Sequence, residues 1–64
     1  MTIGEKIQKL RIKRRLTQEE LAKKADLSYT TLIKIEGGQV QNPTIKTIQK
    51  IAKALDVSID NLVK

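Results

Sequence analysis

A chain of 64 residues can form one small domain, near the lower size at which a hydrophobic core alone still holds a fold. Thirteen Lys and Arg against seven Asp and Glu leave a net charge of +6, a balance that favours a polyanionic partner, either nucleic acid or an anionic membrane. Cys and His are both absent, so no disulfide framework, thiolate metal site or histidine general base is available, and the chain is expected to be neither an enzyme nor a holder of metal or cofactor.

Thr2, with Glu5 three positions on, forms a capping box and opens the first predicted helix, whose apolar stripe is Ile3, Ile7 and Leu10. Lys6, Lys9, Arg11, Lys13, Arg14 and Arg15 crowd that segment, opposed locally only by Glu5, and Ile12 lies off the stripe. Such a run reads equally well as a solvated face or as a binding surface. It lacks the interfacial aromatics of a membrane-surface helix, and its apolar stripe is needed inside. The helix is expected to fray near Arg15, with Leu16 turning inward.

Thr17 and Glu20 repeat the capping box ahead of a second helix with Leu21, Ala22 and Ala25 on one face. Asp26 breaks the pattern, Leu27 plugs inward, and Ser28 caps a third helix that carries Leu32 and Ile35 inside. Gly37 and Gly38 end it, since glycine best supplies the left-handed residue past a helix C-terminus. A polar loop runs from Gln39 to Pro43, and Thr44 caps a fourth helix with Ile45, Ile48, Ile51, Ala52 and Leu55 on one stripe. Asp56 takes the next turn, Val57 packs inward, and Ser58 caps a last short helix with Ile59, Leu62 and Val63. The expected architecture is all-α: a compact five-helix bundle forming one domain over residues 1–64. No apolar run reaches membrane-spanning length and no signal-peptide core precedes the first helix, so a soluble cytoplasmic protein is expected.

Ala22 and Ala25 are small, so the third helix can cross closely over the second. One face of the third helix, Tyr29, Thr30, Ile33 and Lys34, then has no core to enter. A helix held by its back with a mixed polar front suits a DNA major groove. There Lys34 can donate to guanine O6 and N7, and Thr30 can donate, accept or offer its methyl to thymine. Ile33, one turn after Tyr29, fits a thymine methyl better than an idle surface position. Gln18 opens its helix, where free N–H groups and the positive dipole end suit a phosphate. Ser28 and Thr31 either reach phosphates or simply cap and face solvent. RNA is disfavoured because the chain offers no aromatic stacking platform.

Leu16–Ala22 together with Leu10-Arg11, Leu27-Ser28, Leu32, Ile35-Glu36-Gly37, Asn42-Pro43-Thr44 and Ile51–Ser58 make an ordered set covering nearly the whole chain. In these residues the chain resembles the phage repressor and Cro-type helix-turn-helix domain (XRE-like) of bacterial and phage regulators, with the helix-turn-helix at about 17–36 and the recognition helix at about 28–36. Asp26 stands where that family usually has Gly, and Tyr29 where it often has Gln or Arg.

The resemblance implies base contacts by Tyr29, Thr30 and Lys34, with Ile33 beside them, and a phosphate contact by Gln18, which also braces the recognition helix. It implies a second backbone clamp around the fourth helix start, at Gln39, Gln41, Asn42, Thr44 and Lys46, where amide side chains suit phosphate oxygens without reading sequence. It also implies a structural ion pair between Arg11 and Glu36, which neutralises a carboxylate that otherwise repels phosphate. The expected function is sequence-specific double-stranded DNA binding by a nucleoid-associated transcriptional regulator, with repression the expected mode. Such a regulator works as a homodimer on a palindromic operator and is weakly associated or monomeric when free, with no small-molecule site in this chain. The alternative is a protein-interaction module, such as an antitoxin or anti-repressor component, whose docking surface need not release counterions.

Overall fold

Helix starts in this chain are set by hydroxyl side chains. Thr2, Thr17, Ser28 and Thr44 each have extended backbone, and each Oγ accepts from the backbone N–H three residues on, at 3.2, 3.1, 3.1 and 3.2 Å. At the first two the box closes reciprocally, because the Thr2 and Thr17 N–H groups donate to Glu5 and Glu20 Oε1 at 3.0 and 2.8 Å. Each such cap contributes about 1 kcal/mol. The computed structural model describes residues 2–63, in which the helices are α1 (Ile3–Lys13), α2 (Gln18–Lys24), α3 (Tyr29–Glu36), α4 (Ile45–Leu55) and α5 (Asp60–Val63). The last begins differently from expectation. Its opening bonds run from the Asn61 and Leu62 N–H groups to the Ser58 and Ile59 carbonyls, in place of a bond to the Ser58 hydroxyl.

The helix ends follow one rule as well. Arg15, Asp26, Gly38 and Asp56 take left-handed backbone, with φ of 59°, 57°, 85° and 57°. The residue after each donates its N–H back to the carbonyl five positions earlier: Leu16 to Arg11, Leu27 to Ala22, Gln39 to Lys34 and Val57 to Ala52. This is the Schellman closure, which satisfies carbonyls the helix leaves open. It also turns the chain inward, so Leu16, Leu27, Val40 and Val57 pack on the core from just past each helix. Arg15 therefore sits in a defined left-handed turn and not in a fraying end.

The core is aliphatic, with Ile7, Leu21, Leu32, Ile35, Ile51, Leu55 and Leu62 essentially inaccessible to water. Burying each contributes about 1.5–3 kcal/mol. Helix α1 packs on α3, α4 and α5, and α2 packs on α3 and α4. Two expected core positions lie outside. Ile45 is 64% exposed although it falls on the α4 stripe: it is the first residue of the helix, one turn before Ile48, where burial of the stripe begins. Val63 is likewise exposed at the last described position, while Leu62 takes the core site on α5.

Candidate nucleic-acid interface

Helix α3 is held from behind at both ends. Leu32 and Ile35 enter the core, and the buried Ala22 and Ala25 present little bulk where α2 lies against it. At its C-terminal end, α1 comes within backbone contact: a Cβ on Gly4 would collide with the Ile35 and Glu36 carbonyls. Only glycine permits that approach. Sequence reading did not single out Gly4. The signal was there, since a glycine beside an apolar helical stripe weakens the helix unless a neighbour needs the space.

Around that contact, one carboxylate gathers three elements. The Glu36 side chain is 3% exposed and accepts from Arg11 Nε at 2.9 Å, Arg11 Nη2 at 3.2 Å and Gln18 Nε2 at 3.2 Å. The third guanidinium nitrogen, Arg11 Nη1, donates to the Leu16 carbonyl at 2.8 Å. Arg11 on α1, the α1–α2 turn, Gln18 at the start of α2 and Glu36 at the end of α3 are thus fixed to one another. Paired charges and filled donors are what burial of such groups requires. Gln18 spends one amide hydrogen on Glu36 and keeps its carbonyl and second hydrogen free.

The front of α3 is unlike its back. At about 100° per residue, Tyr29, Ile33, Thr30 and Lys34 occupy a continuous arc of about 140°. All four are exposed, Tyr29 by 45% and Ile33 by 39%. Their Cα atoms span about 7.5 Å of helix, a little over two base-pair steps. The arc carries a cation, a hydroxyl, a phenol and an aliphatic group, which is enough variety to tell base edges apart.

The expected phosphate-side residues divide into two kinds. Ser28 and Thr44 are committed to their helices: besides capping, their hydroxyls donate to Thr31 and Thr47 Oγ1 at 2.7 and 3.0 Å. In the first pair the free donor is therefore the half-buried Thr31 hydroxyl, and Ser28 holds it in place. Gln39, Gln41, Asn42 and Lys46 are exposed. Gln39 is drawn against the end of α3, because its N–H and that of Val40 both donate to the Lys34 carbonyl at 2.9 and 3.1 Å. Gln41 and Asn42 instead border a shallow depression with Ile3, Pro43 and Leu62, towards α1 and α5. The structure thus brings Gln18, Arg11 and Glu36 into one cluster and sets Gln39 beside Lys34, while Gln41 and Asn42 lie on the other flank of the loop.

The two capping-box carboxylates are the groups with a displaced acidity. Glu5 and Glu20 are held below the usual carboxylate range, first by the backbone N–H of Thr2 and Thr17 and then by their hydroxyls. Both are exposed and serve their helices. Among the described residues no cluster of acidic side chains is arranged to hold a metal ion, and no helix is long and apolar enough to cross a membrane.

Known proteins are similar to this chain in sequence and in fold. The immunity repressor of Bacillus phage phi105 is 40% identical over 63 residues, 98% of this chain and 43% of that protein. The transcriptional regulator SinR of Bacillus subtilis is 35% identical over 60 residues, 94% of this chain and 54% of that one. The chain thus spans about half the length of these curated relatives or less. The crystal structure of SinR, a master regulator for biofilm formation, in complex with DNA superposes with a TM-score of 0.96 at 33% identity, covering 98% of this chain and all of that one. The restriction-modification controller protein C.AhdI of Aeromonas hydrophila superposes at 0.89 with 33% identity, over 94% and 89% of the two chains. The sequence profile of the helix-turn-helix family matches residues 7–62, from the buried Ile7 of α1 to the buried Leu62 of α5. With the match running through every helix that supports α3, this chain belongs to the helix-turn-helix family.

Proposed function

We propose that the chain binds double-stranded DNA sequence-specifically as the DNA-reading part of a transcriptional regulator, with α3 in the major groove. The observation that carries this reading is the outward arc of α3, four chemically distinct exposed side chains on a helix immobilised at its back. Likeness to a regulator solved on DNA, and to a phage repressor, supports it. In this reading Tyr29, Thr30, Ile33 and Lys34 meet base edges. Gln18, with its free amide atoms, and the Thr31 hydroxyl that Ser28 positions hold one phosphate run; Gln39, Lys46 and the α4 start at Thr44 hold another, with Gln41 and Asn42 at its outer edge on the other flank of the loop. The Arg11–Glu36 pair keeps a carboxylate at the edge of the interface neutralised. Repression is the mode we assign, by a homodimer on a palindromic operator in the cytoplasm, its recognition helices about 34 Å apart.

The test is selection of binding sites from random duplexes, followed by titration of duplexes with one and two half-sites across a salt series. With about three to five phosphates neutralised per subunit, a dimer gives a log–log salt slope of roughly −5 to −9. Lys34→Ala and Thr30→Ala each cost about 1–3 kcal/mol on the selected site and much less on random duplex. Equal losses on both duplexes would reduce these side chains to backbone contacts. A slope near zero, or equal affinity for half and full sites, would replace operator binding by a protein-docking role.

A further inference from the structure

Four cations at α1 stand outside the reading above. Gly4 and Arg11 mark the side of α1 that meets α3, through the Ile35 and Glu36 carbonyls and the Glu36 carboxylate. At about 100° per residue, Lys6, Lys9 and Lys13 lie about 140–200° around the helix from Gly4, on the side turned away from α3. With Arg14 they line an open groove of about 660 Å³ between α1 and the start of α5, whose floor is Leu10 and Val57. Both floor residues are half-buried, and no carboxylate of the described residues lines the groove. Among the described residues none of the four cations forms an ion pair, and Arg14 makes one long hydrogen bond, from Nη2 to the Asp56 carbonyl at 3.4 Å.

Two kinds of polyanion would neutralise such a row, and the floor decides between them. A phosphate backbone gains nothing from an aliphatic strip between its cationic contacts, and a duplex read by α3 lies on the other side of α1. An acidic helix with one apolar ridge uses both features. We propose that the groove docks an acidic amphipathic helix of a partner protein. The spacing fits: Lys6, Lys9 and Lys13 rise about 10.5 Å along α1, the interval at which a second helix presents carboxylates at i, i+3 or i+4, and i+7. Aliphatic side chains between those carboxylates settle on Leu10 and Val57, the helix-in-groove mode. Seven of the described residues line the groove, against about 20–30 a side in a stable interface, so the complex is weak and quickly exchanging. Its cationic rim makes it salt-sensitive, and the floor supplies a remainder that salt does not remove. Because the groove faces away from α3, the partner and DNA occupy one molecule together.

The experiment is an NMR titration of the isotope-labelled 64-residue chain. The probes are a synthetic helical peptide of about 18 residues with Glu at i, i+3 and i+7 and Leu between them, a scrambled peptide of the same composition, and a short random-sequence duplex. Saturable shifts are expected at Lys9, Leu10, Lys13 and Val57 with the patterned peptide, and binding about tenfold weaker with the scrambled one. The Lys9→Ala/Lys13→Ala variant, with both changes at exposed positions, should keep its circular dichroism and lose about tenfold in peptide affinity. The Tyr29–Lys34 amides should stay in place, and the peptide should still bind a chain saturated with its selected operator. Equal binding of both peptides, or peptide shifts centred on α3, would overturn the proposal. So would groove shifts produced by the duplex in preference to α3 shifts, which would assign the cations to nucleic acid.

Discussion

Arg11→Ala should come close to unfolding this protein, and the size of the effect follows from what the guanidinium touches. Among the described residues, its loss removes two of the three donors on a Glu36 side chain that is 3% exposed, and the side-chain donor to the Leu16 carbonyl. Breaking a fully buried pair by removing one partner costs about 3–5 kcal/mol, because the other charge is stranded. Here Arg11 keeps 12% exposure and Gln18 still reaches Glu36, so some solvation and one hydrogen bond survive. We therefore expect about 2–4 kcal/mol. Once chain entropy is set against burial, a domain of this size keeps a net stability of roughly 3–5 kcal/mol, so little remains. Lys9→Ala and Lys13→Ala, at exposed positions of the same helix, should change stability by no more than about 0.5 kcal/mol. Urea melts followed by circular dichroism, run with an excluded osmolyte to keep the weak variant folded, measure all three. Replacing both partners in Arg11→Met/Glu36→Leu should restore most of the loss, since no buried charge is then left unpaired. The double-mutant cycle should give a coupling of about 2 kcal/mol; a value under about 0.5 kcal/mol would show two independent charges and refute the cluster as the anchor of α3.

Gly4→Ala should lower the melting temperature although alanine favours helix by about 1 kcal/mol, because the added methyl meets the Ile35 and Glu36 carbonyls and overpacking costs about 1–3 kcal/mol. A rise would mean α1 can move off α3 at no cost. Arg15→Gly should stabilise by about 0.5–1 kcal/mol in the same urea assay. Left-handed backbone costs an L-residue about 1–2 kcal/mol, and glycine gives back only part of that through its freer unfolded chain. No gain would show that the Arg15 side chain contributes where it stands. Glu5 and Glu20 have a pKa lowered by the fold, so their contribution is complete above the unfolded value and is lost as pH falls through the folded one. Thermal melts should therefore show the deficit of Glu5→Ala/Glu20→Ala against the natural chain shrinking as pH drops below the ordinary carboxylate range. A deficit that stays constant into strong acid would remove the capping boxes as its source.

Most of the helix boundaries were legible because their causes are local. A hydroxyl and the N–H it accepts from are three residues apart, and a left-handed turn reaches back five, so Thr2, Thr17, Ser28, Thr44, Asp26 and Asp56 announce their roles within one turn of chain. The front of α3 was legible by exclusion: once Leu32 and Ile35 go inside, Tyr29, Thr30, Ile33 and Lys34 have nowhere else to face. Charge, the missing Cys and His, and the aliphatic stripes needed no coordinates either.

Tertiary structure decided what depends on how helices cross. Arg11 and Glu36 are 25 positions apart, and their pairing was inferred from resemblance and not from any local pattern. That Gln18 and the Leu16 carbonyl join them is visible only in three dimensions. Gly4 became interpretable once α1 was seen lying on two α3 carbonyls. Ile45 obeys the α4 stripe and is still exposed, because periodicity names a face while only the neighbouring helices determine how far along that face the cover extends. The Lys6–Lys13 row was legible as charge, but its direction, away from α3 and over an aliphatic floor, was set by which side of α1 Gly4 turned inward.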